Sequence, residues 1–138
     1  MYKKFSIYLL LIFTVFGAHK AWSDVRHIDA LELKALLDEN VALVDVRRAD
    51  EWQSFGVVDS TIKQTFFDAA GNYNVQQWLE SVFAEVDQDQ PVILICHTGV
   101  RSKLIADWLD KNKLFSQVYN VRNGIDEWIR RGLPVVKE

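Results

Sequence analysis

The chain has 138 residues, of which 16 are lysine or arginine and 19 are aspartate or glutamate, so its formal charge is −3. This acidic balance argues against nucleic acid or an anionic membrane surface as the partner. The length allows one domain with a hydrophobic core, and a single cysteine excludes a disulfide framework within the chain.

The first 23 residues have the pattern of a secretory signal peptide. Lys3 and Lys4 precede an apolar stretch over residues 5–16, and small residues follow it. This stretch is shorter than the roughly 20 residues of a spanning helix, so an uncleaved anchor is the weaker alternative. We predict cleavage before Asp24, a domain over residues 24–138 with a charge of −6 (13 basic against 19 acidic residues), and a periplasmic or secreted location without stable membrane association.

Strands and helices alternate along the remaining chain. This alternation predicts an α/β domain with a mostly parallel sheet between helical layers. The helical period also places Trp52, Trp78, Trp108 and Trp128 in the core, and it turns Leu104 inward together with Ile105 and Leu109. In chain order, we predict strand 25–28, a helix capped by Asp29 and ending near residue 40, strand 41–46, helix 50–55, strand 61–62, helix 75–86, strand 92–95, helix 101–112, strand 117–121 and a helix after Asn123-Gly124.

Cys96 follows the buried strand 92–95 and precedes a turn that contains Gly99, and Arg101 opens the next helix. Ligands of parallel sheets bind beyond the carboxyl ends of the strands. There, the amides of the turn, the helix N-terminus and a guanidinium favour a thiolate. A buried cysteine that acts as a small hydrophobe is the alternative. The neighbouring residues favour a reactive thiol, which must be ionised and reached by solvent.

Three segments in this order and spacing resemble the rhodanese family, in its single-domain sulfurtransferase form. They are Leu43 to Arg47 with Glu51-Trp52, Cys96 to Ser102, and Asn120 to Pro134. The resemblance covers nearly all of residues 25–136 and implies a rhodanese-like three-layer domain. Two positions depart from the family pattern. Residues 56–61 replace its usual Gly-His-Ile turn, and Asn123 replaces the first of two glycines, where asparagine tolerates a left-handed conformation.

The resemblance implies transfer of a sulfane sulfur. The Cys96 thiolate attacks a donor such as thiosulfate, carries the sulfur as a persulfide, and passes it to cyanide or a thiol. Arg101 would hold the sulfonate group, Gly99 would let the backbone approach the sulfur, and Ser102 would cap the following helix. The predicted substrate-binding residues are His97, Thr98, Gly99, Val100, Arg101, Ser102 and Arg47.

Two neighbouring side chains have more than one interpretation. Asp45 is best explained as a structural residue that closes a buried strand. Arg47 either pairs with Asp50, Glu51 or a neighbouring loop, or adds positive potential at the mouth of the cleft. His97 is better explained as a loop side chain that tunes the local field than as a general base, because an ionised thiol needs none.

Two other functions remain open. One is a module that carries a persulfide to a partner protein without turnover. The other, less favoured, is a cysteine phosphatase or an arsenate-handling enzyme. In such phosphatases five residues separate the cysteine from the arginine, whereas four separate Cys96 from Arg101. The expected partners are a small sulfur-containing anion, a thiol acceptor and a possible sulfur-accepting protein. No cofactor or metal is expected, because His27, His97 and one cysteine fall short of a zinc site.

Overall fold

The computed structural model describes residues 24–137. The predicted signal peptide and its cleavage site precede these residues, so they lie outside the described part. Five parallel strands form one sheet in the order β1-β5-β4-β2-β3. Within residues 24–137, no helix combines the length and apolar character needed to cross a membrane. The strands are β1 (Arg26–Ile28), β2 (Ala42–Asp45), β3 (Ile62–Lys63), β4 (Pro91–Ile95) and β5 (Gln117–Val121).

Helices cover both faces of the sheet, as the predicted three-layer domain requires. Residues of α3 and α4 pack with Val44 and Leu94 on one face, and residues of α1 and α5 pack with Leu43 and Ile93 on the other. Successive residues of a strand point to opposite faces, so β4 is apolar on both faces and β2 is apolar up to Asp45 at its end. The helices are α1 (Ala30–Asp38), α2 (Ala49–Phe55), α3 (Val75–Phe83), α4 (Val100–Lys111) and α5 (Gly124–Arg130).

The start of α1 follows the prediction. Asp29 accepts hydrogen bonds from the amides of Leu31 and Glu32, both at 2.9 Å, and the Glu32 carboxylate accepts from the amide of Asp29. This reciprocal capping satisfies amides that have no partner within the helix.

The prediction for α4 is wrong at two positions. Leu104 is 61% exposed and Trp108 is 37% exposed, whereas Ile105 and Leu109 are buried as predicted. The face of α4 against the sheet is formed by Ser102, Ile105, Ala106 and Leu109, and this rotates Leu104 and Trp108 outward. Of the other tryptophans predicted in the core, Trp78 and Trp128 are buried and Trp52 is half-buried.

The turn before α5 also differs from the expectation. Asn123 has a φ of −109°, so it does not take the left-handed conformation. Gly124 takes it instead, with a φ of +60°. A Cβ at Gly124 would lie 2.2 Å from the carbonyl oxygen of His97, so only glycine lets α5 approach the chain at this point.

Candidate active site

The ends of two neighbouring strands bring the site together. Asp45 at the end of β2 pairs in register with Ile95 at the end of β4, and Cys96 follows directly. The start of α5 fixes this segment from the other side. The Ile125 amide donates to the carbonyl of Cys96 at 2.9 Å, and the Asp126 amide donates to the carbonyl of His97 at 3.1 Å. Two backbone carbonyls therefore hold the beginning of the loop in place.

Three groups that can donate hydrogen bonds surround the sulfur of Cys96. The Gly99 amide lies 3.2 Å from Sγ, the Ser102 amide 3.4 Å and the Ser102 hydroxyl 3.3 Å. Such donors favour the anionic form of a thiol. Gly99 has a φ of +92°, and a Cβ there would lie 1.9 Å from the carbonyl oxygen of Arg122. The loop geometry therefore depends on glycine at this position.

The predicted capping role of Ser102 is wrong. Gly99 is the N-cap of α4, and Ser102 is the third residue of the helix. Its side chain is fully buried and turns toward the sulfur of Cys96 and the amide oxygen of Asn120. The helix begins at Val100, one residue earlier than predicted, so Ser102 lies within the first turn and its side chain is directed at the site rather than at the helix amides.

The exposure of Cys96 also differs from the expectation. The residue is unpaired and 1% exposed, so the prediction of a sulfur open to solvent is wrong for this conformation. The loop folds over the sulfur to bring its amides close, and this removes solvent from the same atom. His97 and Arg101, which are near the sulfur in sequence or space, are themselves partly exposed.

Arg101 forms an ion pair that the sequence analysis did not identify. Its Nη1 and Nη2 atoms donate to the two Glu51 carboxylate oxygens at 2.8 Å and 2.6 Å. This bidentate pairing lowers the pKa of Glu51 to about 2 and raises the pKa of Arg101. A thiolate at Cys96 would act on Arg101 in the same direction. The pair therefore orients a guanidinium next to the thiol loop.

Arg47 is the predicted binding residue that the structure places elsewhere. Its side chain is completely buried, and its Nη2 atom lies 2.7 Å from an Asp45 carboxylate oxygen and 2.8 Å from the carbonyl oxygen of Gly56. The prediction of positive potential at the cleft mouth is wrong, because this charge is neutralised inside the domain. The structural alternative is correct, although the carboxylate partner is Asp45 rather than Asp50 or Glu51.

The remaining loop residues take varied positions. The ring of half-buried His97 lies 4.8 Å from that of Phe55, and Thr98 and Val100 are exposed. For these three residues, a direct role in binding stays a prediction. Within residues 24–137, no group of three or more histidine, cysteine or acidic side chains could hold a metal ion.

A second polar group near the sulfur was also missed. Asn120 is 2% exposed, and its Oδ1 atom accepts a hydrogen bond of 2.7 Å from the Ser102 hydroxyl. Its Nδ2 atom lies 3.1 Å from Nδ1 of His27 on the edge strand β1. The available signal was an amide side chain between Tyr119 and Val121 in the buried part of β5, since a buried polar group needs partners.

Lowering the pH is expected to remove the contribution of Glu51 to stability. Its pKa is about 2 in the folded protein against an ordinary value of 4.5, so the contribution is complete above pH 4.5 and is lost as the pH falls toward 2. With allowance for solvent screening, we expect Glu51→Gln to cost about 1–2 kcal/mol at pH 7 and little near pH 2. Urea unfolding at several pH values measures this.

Glu85, an exposed carboxylate after α3, provides the matched control. Glu85→Gln should leave the unfolding midpoint nearly unchanged at every pH. An equal loss of stability at pH 7 and pH 2 for Glu51→Gln would contradict the assignment to the ion pair.

Comparison with known proteins identifies the family. The profile of the Rhodanese-like domain family matches residues 29–131. The chain belongs to the rhodanese family. Thiosulfate sulfurtransferase GlpE of Vibrio cholerae is 32% identical over 110 residues, which are 79% of this chain and 92% of that protein. GlpE of Actinobacillus pleuropneumoniae is 47% identical over 51 residues, and this match covers 37% of the rhodanese chain and 46% of the relative.

Solved structures share the rhodanese fold. A rhodanese-related protein from Thermoplasma volcanium is 26% identical with a TM-score of 0.62, and the match covers 82% of this chain and 99% of that one. The polysulfide-sulfur transferase homodimer of Wolinella succinogenes is 24% identical with a TM-score of 0.65, covering 83% and 80%. The family match and the GlpE relatives support a sulfurtransferase.

Proposed function

We propose that this rhodanese transfers sulfane sulfur from a donor such as thiosulfate to cyanide or a thiol through a persulfide on Cys96. The Cys96 thiolate attacks the outer sulfur of thiosulfate, a new S–S bond forms, and sulfite leaves with the electron pair of the broken S–S bond. Cyanide then attacks the outer sulfur of the persulfide, thiocyanate forms, and the thiolate is restored. No external oxidant or reductant is needed.

The observation that carries this proposal is the set of donors around Sγ. Two amides and one hydroxyl lie within 3.2–3.4 Å of a single sulfur atom at the start of α4. A compact ring of this kind stabilises a thiolate and the outer sulfur of a persulfide. The four residues between Cys96 and Arg101 give a smaller loop than the five of a cysteine phosphatase, which favours sulfur over phosphate.

Arg101 is the proposed contact for the donor anion. Glu51 occupies one edge of its guanidinium, and the group remains 26% exposed. The exposed part bears N–H donors that suit the oxygens of a sulfonate. Because Cys96 is 1% exposed, the proposal requires partly exposed side chains near the sulfur to move when the donor binds.

Intact mass spectrometry tests the persulfide directly. The domain over residues 24–138, incubated with thiosulfate, should gain the mass of one sulfur atom and lose it when cyanide is added. Cys96→Ser should gain nothing. Absence of loading in the wild-type domain, or equal loading of the variant, would contradict the proposal. Hydrolysis of an aryl phosphate that depends on Cys96 would favour the phosphatase alternative.

The same measurement tests the proposed export. A full-length chain produced in a secreting bacterial host should be recovered from the periplasm or medium with Asp24 as its first residue. Recovery of the uncut chain from the membrane fraction would support an anchor instead.

A sulfur-carrier function is the second candidate, favoured by an exposed apolar surface beside the loop. Val100, Leu104 and Trp108 follow each other along one side of α4 and are 66%, 61% and 37% exposed. Leu104 and Trp108 border a cavity of about 300 Å³. A protein acceptor would fit such a surface. Stable loading without turnover of cyanide or small thiols would favour this candidate.

A further inference from the structure

A chain of hydrogen-bonding groups connects the thiol to a histidine outside the loop. The Ser102 hydroxyl lies 3.3 Å from Sγ of Cys96 and 2.7 Å from Oδ1 of Asn120. On its other side, the Asn120 amide lies 3.1 Å from Nδ1 of His27. Cys96, Ser102 and Asn120 are at most 2% exposed, whereas His27 is exposed. The exposed imidazole is therefore three contacts away from the sulfur.

The Ser102 hydroxyl has one proton and two possible acceptors. With Oδ1 of Asn120 facing Ser102, the hydroxyl must donate to the amide oxygen, because Oδ1 carries no hydrogen and the two oxygens are 2.7 Å apart. In this arrangement the Asn120 nitrogen donates to His27, so Nδ1 of His27 must be the unprotonated nitrogen. The thiolate then keeps the amides of Gly99 and Ser102 and loses the hydroxyl donor.

We infer that His27 is a positioning residue that decides, through Asn120, whether Ser102 donates to Cys96. Protonated His27 bears a hydrogen on Nδ1, which opposes the amide nitrogen of Asn120. Half a turn of the amide lets Oδ1 accept from His27 and lets Nδ2 donate to the Ser102 oxygen. The hydroxyl hydrogen is then free to reach the sulfur. No proton crosses the amide; only the direction of the hydrogen bonds changes.

Protonation of His27 and ionisation of Cys96 therefore favour each other, as thermodynamic linkage requires. This inference rests on the proposed function, since it concerns the nucleophile of that reaction. The gain or loss of one hydrogen bond to an ionised group changes the thiolate population about tenfold, which is about one pH unit.

Other charged side chains lie near this chain of hydrogen-bonding groups and act on it through space. Their effect must be distinguished from that of the hydrogen bonds themselves. Lys103 and Arg122 line a cavity of about 400 Å³ together with His27 and Asn120, and the Lys103 ammonium pairs with Asp107. Among residues 24–137, the hydrogen bonds of the Asn120 side chain go to Ser102 and His27, so neither cation determines the direction of the amide. The charged groups near the two ends are Arg26, Asp29, Lys103, Asp107 and Arg122 on the His27 side, and Glu51 and Arg101 on the Cys96 side.

Alkylation of the thiol tests the inference without any turnover. Cys96 is the only cysteine, so the rate with neutral iodoacetamide reports its thiolate alone. On the acidic limb of its pH profile, where His27 and Cys96 are both protonated, His27→Phe should lower this rate about tenfold, because Asn120 then keeps the Ser102 hydroxyl. The two profiles should meet on the alkaline limb, where the imidazole of the wild type is neutral as well. Arg122→Gln removes a charge from the same cavity and should change the rate on the acidic limb by less than about twofold.

A second variant breaks the connection at Asn120. In the Asn120→Ala background, His27→Phe should change the rate on the acidic limb by less than about twofold, because no amide then connects the ring to Ser102. Equal rates for the wild type and His27→Phe on the acidic limb, an equal loss in Arg122→Gln, or the same tenfold loss in the Asn120→Ala background would overturn the inference. Loss of thiocyanate formation with the coupling intact would instead count against the proposed function.

Discussion

Cys96→Ser is expected to lower thiocyanate formation from thiosulfate and cyanide by at least about a thousandfold, because the persulfide cannot form without the sulfur nucleophile. The substitution replaces the buried sulfur with an oxygen, which remains within hydrogen-bond reach of Gly99 and Ser102. The domain should therefore remain folded. Steady-state kinetics with the wild type and the variant measure the loss, and circular dichroism verifies the fold.

His97→Ala provides the matched comparison for this experiment. It removes the imidazole adjacent to the thiol and its contact with Phe55 and leaves the sulfur in place. If the thiol reacts as a thiolate, the variant should retain activity within about threefold of the wild type. A loss in His97→Ala as large as that in Cys96→Ser would assign a proton-transfer role to His97. Full activity in Cys96→Ser would exclude the persulfide mechanism.

The second large effect concerns the buried ion pair between Asp45 and Arg47. Both side chains are at most 1% exposed, and the Arg47 guanidinium donates to both Asp45 carboxylate oxygens. Asp45→Asn keeps the shape but leaves a buried cation without its counter-ion. We expect a loss of about 3–5 kcal/mol in the free energy of unfolding, measured by urea denaturation.

An exposed ion pair of the same type serves as the control. Asp50 pairs with Arg48 on the surface, so Asp50→Asn should change the unfolding midpoint little. The double variant Asp45→Val, Arg47→Met removes both charges and should be more stable than Asp45→Asn. Equal effects of Asp45→Asn and Asp50→Asn would show that the buried pair does not stabilise the domain.

The elements of the fold could largely be predicted, because their signals are local. Strand β5 begins and ends at the predicted residues, and Cys96 follows a buried strand as expected. The face of α4 was harder to predict. Leu104 and Ile105 are adjacent and both apolar, so helical periodicity alone does not decide which one faces the sheet. Packing against the sheet decides it.

The partners of the site residues could not be predicted, because they are distant in the sequence. Arg101 and Glu51 are 50 residues apart, and Ser102 and Asn120 are 18 residues apart. Their contacts exist only once strands β2, β4 and β5 lie side by side. For Arg47 the partner is instead close in the sequence. Several carboxylates lie near this arginine along the chain, and the side chain pairs with Asp45, two residues away.

The fastening of the thiol loop to α5 has a consequence for the catalytic cycle. The carbonyls of Cys96 and His97 accept hydrogen bonds from successive amides of α5, and Gly124 leaves no space between the two segments. The main chain at Cys96 therefore cannot move toward α5 to make space. In the proposed cycle, space for the added sulfur must therefore come from the partly exposed side chains at the entrance, so we expect donors with bulky groups next to the terminal sulfur to react more slowly.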